Sequence, residues 1–128
     1  YAVMEAQNIT NSPWGANVTL DIANGVYRSF ADATNNVTLT LAMSSKNIYE
    51  WVGFGNRTVT AVFIMKNGAT PYYVTSISIN GTAVTPLWQG GTAPTGGNAN
   101  ARDVYVFNIW YNMATSTLNV LASQTKFA

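Results

Sequence analysis

The chain of 128 residues contains no cysteine and no histidine. Without cysteine there is no disulfide framework, no thiolate metal site and no thiol nucleophile. Without histidine the commonest metal ligand and the commonest general base near neutral pH are both missing. Charge is scarce as well: six Lys and Arg stand against five Asp and Glu, and charged residues make up 9% of the chain. Arg28, Lys46, Arg57, Lys66, Arg102 and Lys126 are scattered singly along the sequence, whereas a nucleic-acid binder clusters such residues to displace counterions. No nucleic-acid partner is expected. Long apolar runs are missing too. A stretch such as Thr60 to Met65 falls far short of the ~20 residues of a spanning helix. The opening Tyr-Ala-Val-Met-Glu has neither the basic stub nor the apolar run of a signal peptide, so no membrane partner is expected either.

What remains is 48% hydrophobic residues in a background of Thr, Asn and Ser. So apolar a chain with so few charges implies a surface covered by small polar residues or partly hidden against partners. The apolar residues recur with a period of two. In Asn17-Val-Thr-Leu-Asp-Ile22 the residues Val18, Leu20 and Ile22 point one way, and Asn17, Thr19 and Asp21 the other. Val37, Leu39 and Leu41 repeat the pattern, as does the segment around Tyr73, Thr75, Ile77 and Ile79. Asn24-Gly25, Asn67-Gly68 and Asn80-Gly81 match tight hairpin turns, which need positive φ. Strands are expected near residues 2–10, 17–23, 26–31, 36–43, 48–53, 57–66, 72–79, 82–88, 103–111 and 116–122, with no helix. The expected fold is a single domain over residues 1–128, all-β, an antiparallel β-sandwich of jelly-roll type. Residues 89–101, from Gln89 to Ala101, carry no large side chain to anchor them in a core and form a loop, of a length that usually signals function, partner contact or flexibility.

Catalytic patterns are weak. Glu5, Asp21, Asp32, Glu50 and Asp103 form no local pair of the kind that glycoside hydrolysis uses. In Ser44-Ser45-Lys46 adjacent side chains point to opposite faces, which is wrong for a Ser-Lys nucleophile. Asn98, Asn100 and Asp103 are the only grouping of oxygen donors suited to calcium, and it is thin. No catalytic residue, metal site or cofactor is expected. The aromatic residues are better candidates: Trp14, Trp51 and Tyr72 would stack on glycan rings if exposed, and pack in a core or interface if buried.

Trp88-Gln-Gly-Gly91, then Pro94, then Asp103-Val-Tyr-Val-Phe107 and a closing Val120-Leu-Ala-Ser-Gln124 with Phe127 form an ordered set of loose motifs. Together with the two Asn-Val-Thr-Leu segments and Arg57-Thr-Val-Thr-Ala-Val-Phe-Ile-Met-Lys-Asn-Gly68, this set resembles the C-terminal β-domain of bacteriophage virion proteins of tail-fibre and capsid-decoration type. The resemblance covers nearly the whole chain and departs at Tyr111 to Leu118, where a Gly-Gly turn would stand. It implies a virion structural protein on the exterior of the particle, commonly a homotrimer, with other virion proteins as neighbours and a host-surface glycan as a candidate partner. Read physically, Trp88, Gly90, Gly91, Pro94 and Asp103 are a loop-closure motif: the ring covers the core edge, the glycines let the backbone turn where a Cβ would clash, and Asp103 accepts hydrogen bonds from loop amides. The strand at Thr58 to Met65 is apolar on both faces at its far end and the strand at Asp103 to Tyr111 repeats this, which marks Val62, Ile64 and Trp110 as oligomer interface candidates. The rival reading is a carbohydrate-binding module with an exposed aromatic platform, because fold alone does not separate the two.

Overall fold

The computed structural model describes residues 7–21, 25–42, 58–112 and 114–128. Two sheets pack face to face. The first has six strands in the order β1 (Gln7–Thr10), β3 (Val26–Ser29), β5 (Thr58–Lys66), β9 (Arg102–Asn112), β10 (Thr117–Phe127), β8 (Leu87–Trp88). The second has four, in the order β2 (Asn17–Asp21), β4 (Val37–Ala42), β6 (Val74–Ile79), β7 (Thr82–Val84). The all-β sandwich expected from the alternation is present. The strand expected at residues 48–53 lies outside the described residues.

The strand directions differ from the antiparallel expectation. Up to β6 the chain alternates between the sheets, so β1, β3 and β5 lie parallel in one and β2, β4 and β6 parallel in the other. Antiparallel pairing enters only where the winding ends, at β6 with β7, β5 with β9, and β9 with β10. Both sheets are therefore mixed. The two Asn-Val-Thr-Leu segments do not pair residue for residue: Val18 lies beside Leu39 and Leu20 beside Leu41. A slip of two residues preserves the pleat, so every apolar side chain still faces inward.

Only one of the three expected hairpins joins paired strands. Asn80 and Gly81, with φ of 48° and 86°, turn β6 back onto β7, the geometry for which Asn-Gly is suited. Gly25 has a φ of 82° but sits between strands of different sheets, and Asn24 lies outside the described residues. Asn67-Gly68 is not a hairpin turn. β5 leaves the six-stranded sheet there and β6 starts in the other. The expected strand at 82–88 is two strands: after β7 the chain passes Thr85 and Pro86 and crosses to the other sheet, where Leu87 and Trp88 pair with Leu121 and Ala122. Proline cannot donate to a ladder, which suits it to the crossing.

The core between the sheets is one cluster in which large and small residues alternate across the ladder. Phe107 lies between Ala61 and Ala122, Ile109 between Val59 and Val120, and Tyr105 beside Phe63. A line of rings crosses the inner face of the six-stranded sheet. Trp14 packs on Phe63 at 5.1 Å, Phe63 on Tyr105 at 6.4 Å, Tyr105 on Phe107 at 6.3 Å, and Trp88 meets Phe107 edge-on at 6.3 Å. Facing them are Val18, Leu20, Val37, Leu39, Leu41, Ile77 and Ile79.

Candidate interaction face

The outer faces of the two sheets differ chemically. Outside the four-stranded sheet, Asn17, Thr38 and Ser76 form one row and Thr19, Thr40 and Ser78 the next, with Thr40 and Ser78 hydroxyls 3.1 Å apart. Outside the six-stranded sheet apolar residues fill the middle of the rows on β5 and β9, and Ser123, Thr125 and Asn119 of β10 end the rows of Val106, Val104 and Trp110 with polar side chains. Val62 lies beside Val106, and Ile64 lies between Arg28 and Val104. Thr60 and Asn108 interrupt with a 3.3 Å hydrogen bond. Beyond them Leu121 pairs with Leu87, and Trp110 sits between Thr58 and Asn119. Every large apolar residue described as exposed, Ile9, Phe30, Leu87, Leu121 and Phe127, lies on a strand of this sheet or one residue beyond it, with 46% to 66% of its surface open. Val62, Ile64 and Trp110, the interface candidates, all lie on this face and are half-buried.

One end of the same face is basic, which the linear sequence does not suggest. Parallel pairing of β3 with β5 and antiparallel pairing of β5 with β9 set Arg28 beside Ile64 and Lys66 beside Arg102. Lys66 Nζ is held by Asp32 Oδ1 at 2.6 Å, the one ion pair among the described residues. Arg28 and Arg102 make none. The Arg28 guanidinium lies 4.7 Å from the centre of the Phe30 ring, and its Nε is buried without an acceptor. Lys46 and Arg57 lie outside the described residues.

Of the loop-closure residues, Asp103 takes hydrogen bonds from the long loop while Trp88, Gly90 and Gly91 stand at its start. Asp103 is fully buried, and its carboxylate accepts three N–H groups: the Asn98 backbone amide at 2.8 Å, Asn98 Nδ2 at 2.7 Å and Asn67 Nδ2 at 3.1 Å. Asn67 also bonds both backbone groups of Tyr72, so its burial is explained by this knot and not by a turn. Gly97 is required by close approach, since a Cβ there would run into the Tyr72 carbonyl oxygen and Asn67 Nδ2. Gly90 and Gly91 serve differently from the expectation. Nothing lies within 4 Å of an added Cβ at either, and their φ values of 79° and 83° are what favours glycine. Trp88 is half-buried and, with Pro94, lines a recess of about 260 Å³ beside β6. The thin calcium grouping is used up internally: the Asn98 amide donates to Asp103, and no cluster of three or more His, Cys, Asp or Glu suited to a metal occurs among the described residues.

Neither of the two described glycan-stacking candidates presents an open platform. Trp14 leans on Phe63 and donates Nε1 to the Ile64 carbonyl at 3.4 Å. Tyr72 is half-buried against the core, and Trp51 lies outside the described residues. Of the acidic residues, Glu5 and Glu50 also lie outside them, Asp103 is committed to the knot and Asp32 to Lys66. Ser44, Ser45 and Lys46 are likewise outside. Comparison with protein-family models, curated proteins and solved structures finds no match to the chain.

Proposed function

We propose that the chain is a non-enzymatic structural domain of a bacteriophage particle, a fibre or capsid-decoration module on its exterior. It assembles with copies of itself through the outer face of the six-stranded sheet. The observation that carries the assembly is the contrast between the two outer faces. One is closed by Thr, Ser and Asn. The other leaves Val62, Val106, Ile64, Val104, Trp110, Leu87 and Leu121 at the surface. An apolar sheet face of this kind marks an interaction surface, and obligate interfaces are poor in Lys, Glu and Asp, as this chain is. The virion setting and the trimer rest on the ordered motifs from Trp88 to Phe127 and on the resemblance they carry.

The purified domain is expected to scatter light as three times the 13.8 kDa chain mass, and the chain is expected among the peptides of purified phage particles. A stable monomer at micromolar concentration would overturn the assembly. Glycan-array binding lost in Trp14→Ala or Tyr72→Ala variants of such a monomer would move the assignment to a carbohydrate-binding module.

A further inference from the structure

A groove of about 430 Å³ opens at the basic end of the six-stranded sheet, lined by Arg28, Phe30, Ile64, Arg102, Val104 and Phe127 together with Ser29. Ile64 and Val104 are paired neighbours on β5 and β9 and form its floor. Phe30, just past β3, and Phe127, opposite Arg102 on β10, stand on its two sides with more than half of their surface exposed. The Ser29 hydroxyl is already bonded to the Ser12 carbonyl and the Ala31 amide, so the polar groups left to a ligand are the two guanidiniums.

We propose that this groove is a binding site for a small monocarboxylate carried on an apolar body. Three observations converge on that ligand. The Arg28 side chain lines the groove, and its Nε is buried with no hydrogen-bond acceptor, so this guanidinium is partly desolvated and its charge gains from an anion in the groove. Arg102 reaches the same groove with no ion pair to a described residue, while the nearby Lys66 is neutralised by Asp32, so among the described residues the positive charge here is uncompensated. The floor and side walls are aliphatic and aromatic. A guanidinium fork matches the two oxygens of a carboxylate, and an apolar floor penalises a dianion more than a single charge. The volume is that of a small-molecule site, and the Phe30 and Phe127 walls limit the body to one that fits between them. The groove shares Ile64 and Val104 with the proposed assembly face, whereas Arg28, Arg102, Phe30 and Phe127 belong to the groove alone, so the arginine variants read out the site and Val62→Lys reads out the assembly.

Calorimetric titration of the purified protein with 3-phenylpropionate and with its neutral counterpart 3-phenylpropanol tests the site. The carboxylate is expected to saturate with a Kd on the order of 1 mM or below, and the alcohol to bind at least about tenfold more weakly. Arg28→Met and Arg102→Met are each expected to weaken the carboxylate by about tenfold or more. Arg28→Met removes an orphan donor and is expected to leave the melting temperature unchanged or raised. Should it fail to fold, the exposed Arg102 carries the test alone. Equal affinity for acid and alcohol, wild-type affinity in the Arg102→Met variant, or no saturation by about 10 mM would overturn the proposal.

Discussion

Tyr105 ties the core to the loops with a single oxygen. Its hydroxyl accepts from the Val74 amide at 3.1 Å and from Gln124 Nε2 at 2.7 Å, and the ring is wholly buried. Burial pushes the phenol up from its ordinary 10.0 to about 12, against the two donated hydrogen bonds, which favour the phenolate. The unfolded chain therefore ionises first. Stability contributed by the neutral phenol is complete below about pH 10 and falls as pH rises through about 12, by roughly 2–3 kcal/mol in all. Chemical denaturation from pH 9 to 12 should show that loss, and Tyr105→Phe should shed this part of it. The same variant should cost ~1–3 kcal/mol at pH 7, because the buried Val74 amide loses its acceptor. A Tyr105→Phe protein with an unaltered midpoint at pH 7 would contradict this role. Gly97 offers a second check at this scale: Gly97→Ala forces a methyl against the Tyr72 carbonyl and should destabilise by about 1–3 kcal/mol in urea melts, whereas Gly96→Ala, with open space around it, should cost well under that.

Among the elements, alternation made the inward set legible. Val59, Ala61, Phe63 and Met65 on β5, and Tyr105, Phe107 and Ile109 on β9, are all buried as their period implies. Partners and directions were not legible, because a period of two says which face a residue takes and nothing about which strand comes next. Asn67 shows the same limit. Its Asn-Gly signal is local, but its conformation is set by Tyr72 and Asp103, the latter far along the chain. Convergence of Arg28 with Arg102 is likewise invisible until β3, β5 and β9 are laid side by side. The last strand runs to Phe127, beyond the expected end near residue 122, and its extra length has a task. Gln124 Nε2 reaches the Gly96 carbonyl at 3.0 Å as well as Tyr105, pinning the long loop that no large apolar side chain anchors. Gln124→Ala should therefore loosen that loop locally. Hydrogen exchange at the Asn98 amide is expected to quicken by about fivefold, equivalent to ~1 kcal/mol, with amides of β4 unaffected. Equal protection in both proteins would show that Asp103 holds the loop alone.

For the whole molecule, the decisive property is the contrast between a sandwich face finished for water and one that is not. Thr19, Thr40 and Ser78 show why the four-stranded sheet needs no cover: their hydroxyls meet water or one another, with the side chains beneath them buried. On the opposite face, Val62 and Val106 lie side by side between buried Ala61, Phe63, Tyr105 and Phe107, so apolar residues continue on both sides of the same strands. The sequence made this legible at Val62, Ile64 and Trp110, since a stretch with apolar residues on both faces has no side suited to solvent. It did not reveal that Thr60 and Asn108 lie opposite each other, or that one end is basic.

The most direct measurement is light scattering on two matched lysine variants, Val62→Lys on the apolar face and Thr40→Lys on the hydroxyl-covered one, each checked for an intact fold by circular dichroism. Thr40→Lys is expected to keep the wild-type oligomeric mass and Val62→Lys to fall to the 13.8 kDa monomer. A wild-type protein that is already monomeric, or a Val62→Lys variant that stays assembled while Thr40→Lys dissociates, would contradict the account.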